Sequence, residues 1–129
     1  MRIDIMASKW EVFFIPLCQH TKPVPKPKLV VIVYVHPSPY CFLINSTIND
    51  FIKKRAYLLP CEAPIRARQH LSFLTHDSFI DCREAFPFFD MAELTQSRGM
   101  LSHDAQQSVL HAVIECPVLE KIHKQRILT

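Results

Sequence analysis

The chain has 129 residues, 49% hydrophobic and 21% charged, with a formal net charge of +3; this is one globular domain's worth, and its mild basicity permits a nucleic-acid partner without requiring one. A single glycine, Gly99, stands against ten prolines, which excludes the glycine-rich phosphate loops of dinucleotide-binding and P-loop proteins. The longest apolar run, Leu29 to Val35, has seven residues, far short of the roughly 20 that span a bilayer.

Residues 1–7 carry Asp4 and no signal-like apolar segment, so they are expected to be disordered or a non-native start, with Met1 and Met6 as alternative initiators. A single domain is expected over residues 8–129. Glu11 to Leu17 (EVFFIPL) predicts a short strand, followed by a proline- and lysine-bearing connector, CQHTKPVPKPK. Prolines at that density donate no ladder hydrogen bonds and exclude helix or central strand. Leu29 to Val35 (LVVIVYV) predicts the strongest strand, β-branched and covered on both faces. The turn HPSP returns the chain into Tyr40 to Asn45 (YCFLIN), giving a hairpin. Tyr57 to Leu59 and Phe79 to Cys82 are shorter strand candidates, joined by PCEAPIRARQHL.

The period then changes. From Leu101 to Cys116, apolar residues at 105, 109, 110, 113 and 114 mark one helix face, with Ser102 as N-cap and Asp104 in the first turn. Pro117 ends this helix or opens a second, in which Val118, Leu119 and Ile122 would face inward. The five cysteines are spread far apart and odd in number. That pattern predicts reduced, partly buried thiols in a cytoplasmic protein. Fold class is mainly β with a C-terminal helix from about residue 102 packed on a small barrel or sheet.

Three chemistries compete. His70, His76 and Asp77 could anchor a metal-dependent hydrolase. Strand alternation weakens that reading, because Phe79 lies between Asp77 and Asp81 on their shared face. Ser78 or Cys82 with a nearby histidine could supply a nucleophile and base, but no strained elbow flanks either. Lys22, Lys26 and Lys28 in the first connector, with Lys53, Lys54, Arg55, Arg66 and Arg68 after the hairpin, could form a cationic rim that attracts phosphate.

The order of segments resembles the PemK/MazF-like family. EVFFIPL precedes a polar loop; Lys26-Pro27 enters LVVIVYV; CFLINSTI ends in a Ser/Thr pair; DSFIDCREAF begins with Asp-Ser and ends near a cysteine and an acid; Gly99-Met-Leu-Ser102 opens a helix. The likeness spans residues 9 to 116. It implies an SH3-like barrel that binds single-stranded RNA and cleaves it as a metal-independent endoribonuclease toxin, without cofactor, as a cytoplasmic homodimer with a cognate antitoxin protein. By motif it implies Asp81 and Arg83 as the acid and cation pair, with Ser46 or Thr47 at the scissile phosphate. Lys26, Lys28, Arg66 and Arg68 would hold the backbone. Here the acid precedes the cysteine and the arginine follows it, the reverse of the family order, so the two side chains are expected to exchange sides of the strand. Lys26 stands where arginine is usual. The alternative is a catalytically inactive barrel acting as a protein-interaction module.

Overall fold

The computed structural model describes residues 7–88 and 90–129; the expectation for residues 1–6 lies outside them. Six antiparallel strands form one sheet: β1 (Glu11–Cys18), β2 (Lys26–Val35), β3 (Pro39–Asn45), β4 (Glu62–Ile65), β5 (Ser78–Pro87) and β6 (Ser97–Met100), in the order β4-β5-β3-β2-β1-β6. Three helices complete the fold: α1 (Asp50–Lys53), α2 (His103–Glu115) and α3 (Lys121–Leu128). The protein is thus mainly β with C-terminal helices, as its pattern predicts.

β2 lies centrally because its sequence can be buried on both sides. Val31 and Val33 pack into one apolar cluster with Phe42, Ile80 and the helix residues Val109 and Val113. Val30 and Ile32 pack into the other with Phe13, Ile15, Cys41 and Leu94. Ala7 joins that second cluster. A period of 2 in a continuous apolar run therefore serves two cores at once. α2 begins where its cap dictates: the Ser102 hydroxyl accepts from the Ala105 amide at 3.1 Å, offsetting one unpaired helix-end donor.

Several elements differ from the sequence expectation. Tyr57 to Leu59 is no strand but part of a 3-10 helix over Ala56–Cys61, held by the Leu58 amide donating to the Arg55 carbonyl at 2.8 Å. The strand falls just after it, at β4, inside the segment read as a connector. Pro64 is tolerated there because β4 is an edge strand, so its missing N–H faces no neighbour. β6, at the opposite edge, carries Gly99 at φ +115°, a conformation open to glycine. Of the expected inward residues, Ile114, Val118 and Ile122 are exposed, while Leu119 is buried; Ile127, which the sequence reading did not single out, is buried as well. α3 starts four residues beyond Pro117, at Lys121, which turns Ile122 outward.

The cysteines also require correction. Cys61 and Cys116 form a disulfide with Cα atoms 4.6 Å apart, tying the 3-10 helix to the end of α2. Cys18, Cys41 and Cys82 are free and buried. A separation of 55 residues hides a contact that arises only when α2 packs against the 3-10 helix and β4. Among the described residues, no helix is long and apolar enough to cross a membrane.

Candidate functional site

A cleft of about 750 Å³ opens where the ends of β2 and β3 meet the middle of β5. Alternation along β2 turns Lys26 and Lys28 to this side, and Lys28 Nζ donates to Asn45 Oδ1 at the end of β3. Ser46 and Thr47 follow directly in the turn, both exposed and both lining the cleft. Asn49 then caps α1 by accepting from the Ile52 amide at 2.9 Å, which presents Phe51 at the rim, 51% exposed. Tyr57, His20 and Phe86 complete an aromatic margin, with His20 stacked on Phe86 at 4.7 Å.

β5 supplies the charged pair. Asp81 sits opposite Leu43 in the register with β3, and Arg83 follows two residues on, so both side chains share the cleft face. Cys82 points to the core between them. The expected exchange of sides does not occur, because positions 81 and 83 lie one strand period apart; reversal moves the charges along the strand and leaves both on one face. Arg83 Nε donates to Asp81 Oδ1 at 2.9 Å and Nη2 to Oδ2 at 2.8 Å, a bidentate fork. The Arg83 backbone amide adds a third bond to Oδ1 at 3.1 Å.

Burial alone would raise the Asp81 pKa, but hydrogen bonds from Arg83 and Glu62 outweigh it and hold the carboxyl below its usual range. Lys28 moves down, first from burial and then from the neighbouring charge of Lys26. Glu62 lies on β4 directly across from Asp81 and is only 7% exposed. Burial, together with the Asp81 carboxylate, pushes its pKa up to about 8. The two facing carboxyls are thus shifted in opposite directions, Asp81 down and Glu62 up.

Lys26, Lys28, Ser46, Thr47, Asp81 and Arg83 are therefore brought together on one surface. Arg66 and Arg68 are not. They are exposed beyond β4, in a loop drawn toward α2, where Gln69 donates to Asp104 at 2.9 Å and accepts from Ser102 at 3.0 Å. These arginines do not line the cleft. Glu62 and Asn45 escaped the sequence reading; a lone acid inside the apolar stretch Cys61–Ile65 was the signal available for Glu62.

The competing chemistries lose their residues. His70 uses both ring nitrogens on the backbone: Nδ1 donates to the Arg66 carbonyl at 2.7 Å, and Nε2 accepts from the Ser102 amide at 3.0 Å. Asp77 accepts from the Ala67 amide at 2.9 Å. Among the described residues, no three such side chains converge in a way that could hold a metal ion. Ser78 donates to the His76 carbonyl at 3.0 Å. Burial pushes the Cys82 thiol well up, with the Asp81 and Glu62 charges adding to it, so no thiolate forms at neutral pH.

No protein-family profile matches the sequence, and no curated protein matches it. Solved structures do. The chain superposes on the Mycobacterium tuberculosis toxin MazF-mt6 with a TM-score of 0.57 over 84% of this chain and 97% of that one, at 16% identity. The fold is MazF-like. At that identity the likeness speaks for the fold, and the chemistry rests on the cleft itself.

Proposed function

We propose that this protein is a MazF-like toxin that binds single-stranded RNA in the cleft and cleaves it without a metal ion. One observation carries the reading: six residues singled out for phosphate chemistry, from three separated segments, line the same cleft. Lysines and hydroxyls at its mouth suit a phosphodiester, and the exposed Phe51 and Tyr57 suit unpaired bases, which stack on aromatic rings.

The reaction is a transfer within the RNA. The 2′-oxygen bonds to the adjacent phosphorus while the bond to the 5′-oxygen breaks, leaving a 2′,3′-cyclic phosphate and a 5′-hydroxyl. Asp81, ionised, accepts the 2′-hydroxyl proton. Arg83, with Ser46 or Thr47, meets the charge developing on the phosphoryl oxygens. Lys28, its ammonium proton loosened by burial and by Lys26, supplies the proton to the departing 5′-oxygen. Lys26 binds the adjoining phosphate. As a toxin it would act in the cytoplasm as a homodimer, silenced by an antitoxin protein.

A second reading has its own observation. Arg83 is already engaged by both oxygens of Asp81, which neutralises part of the charge a phosphoryl group would meet and fits a barrel that binds without cutting. Induction in cells with mapping of RNA 5′ ends separates the two. New 5′-hydroxyl ends, insensitive to chelation and lost in Arg83→Ala and Asp81→Ala, support cleavage; RNA retention without new ends leaves the binding module.

A further inference from the structure

Among the described residues, Glu62 is the buried side chain whose polar atoms the protein leaves without a donor. Both of its carboxyl oxygens are enclosed, and no hydrogen-bond donor among the described residues reaches either. An ionised carboxylate in that position would cost several kcal/mol, so the group must be paired or neutral. Its cross-strand partner is Asp81, whose carboxylate is turned toward Arg83 and the cleft. Glu62 itself does not line the cleft. It stands behind Asp81, out of reach of a substrate.

We propose that Glu62 is a positioning residue that works as a neutral carboxylic acid: its proton is donated to the Asp81 carboxylate, fixing the Asp81–Arg83 pair, and RNA binding in the cleft weakens when that proton is lost. The inference rests on the RNA reading of the same cleft. Asp81 is then held from two directions, by the Arg83 fork on the cleft side and by the Glu62 O–H on the β4 side. Loss of the proton sets a second negative charge against the first, and two carboxylates at such range repel each other and any approaching phosphate.

The rise of the Glu62 pKa to about 8, driven first by burial and then by Asp81, places this transition just above neutral pH. The charges facing Glu62 come from β5: Asp81, which favours the proton, and Arg83, which opposes it. Lys28 on β2 acts on Asp81. The α2 residues packed on β4, Ala105, Val109 and Ala112, share the apolar cluster of Ala63 and Ile65, on the face opposite Glu62, and carry no charge; Leu58 of the 3-10 helix is neutral too.

The test uses a short single-stranded RNA carrying 2′-O-methyl groups, so that binding is read without cleavage. Its affinity is measured from pH 6.5 to 9.0 for the natural protein and for Glu62→Gln, which stays neutral and keeps a donor toward Asp81. The Arg83 Nε–H resonance is followed over the same range without RNA. The natural protein should weaken on the order of tenfold, the effect of one added charge at roughly 10 Å in an effective dielectric near 20. Its Arg83 resonance should move with the same midpoint, while Glu62→Gln stays flat in both. A Glu62→Gln affinity that falls in parallel with the natural protein assigns the decline to another group, such as Lys28, and overturns the proposal. So does an Arg83 resonance that does not move in the natural protein. A moving resonance in a protein that binds no RNA at any pH upholds the Glu62–Asp81–Arg83 linkage and refutes the RNA reading instead.

Discussion

Reducing the Cys61–Cys116 disulfide tests the architecture around the cleft more sharply than any single core substitution. The bond closes a loop of 55 residues in sequence separation, containing β4, β5 and β6, so it removes freedom chiefly from the unfolded chain. Loop-closure entropy for that length corresponds to about 4 kcal/mol at 25 °C. A chain of 129 residues shifts its melting temperature by roughly 3–5 °C per kcal/mol, so reduction should lower Tm by about 10–20 °C. The double variant Cys61→Ser/Cys116→Ser should melt near the reduced protein and no longer respond to reductant. Thiol counting closes the argument: the denatured, unreduced protein should expose three thiols, those of Cys18, Cys41 and Cys82. Five thiols under those conditions, with no change in Tm on reduction, would refute the pairing. Because Tyr57 and Leu58 line the cleft beside Cys61 and Val118 beside Cys116, RNA affinity should fall with the disulfide.

Three further outcomes are expected. Lys28→Ala should weaken RNA binding and lower the slope of log affinity against log salt by about 0.7, the share of one phosphate contact on a single strand, as read by binding titrations at several salt concentrations. Stability should depend on pH in two windows. The depressed Asp81 pKa gives stability that is present above the ordinary carboxylate range and lost as pH falls through its folded value. The raised Glu62 pKa gives stability that is complete below about 4.5 and lost as pH rises through about 8. Urea midpoints across pH should therefore lose the acid-side slope in Asp81→Asn and the alkaline-side slope in Glu62→Gln. Phe42→Ala, at a fully buried position, should cost about 3–5 kcal/mol in chemical denaturation.

What the sequence made legible follows from which forces are local. LVVIVYV announces a doubly covered strand because burial on both faces leaves no polar positions. Ser102 announces a helix start because its cap bond spans only three residues. β4 and β6 were hidden because edge strands of four residues carry little pattern; their backbone bonds come from neighbours distant in sequence. The disulfide was hidden for the same reason. Of the site, the residues placed by the strand period and by the β2–β3 hairpin could be read in advance. Arg66 and Arg68 lie off the cleft, where no sequence pattern could place them, because their position depends on the course of a loop that no periodicity describes.

Glu62 shows where such reading reaches its limit. Nothing about an acid between Cys61 and Ala63 distinguishes a solvated turn from a buried partner until the β4–β5 register pairs it with Asp81. Once paired, it also reframes the reversed order of Asp81 and Arg83. The arginine, further along the strand, can fold back on Asp81 as a bidentate fork, and the carboxylate so held is the one that Glu62 can reach. Had the arginine occupied position 81, Glu62 would face a guanidinium and ionise, forming a buried ion pair in place of a shared proton. The order of two residues thus decides whether the cleft wall carries a neutral acid or a second carboxylate.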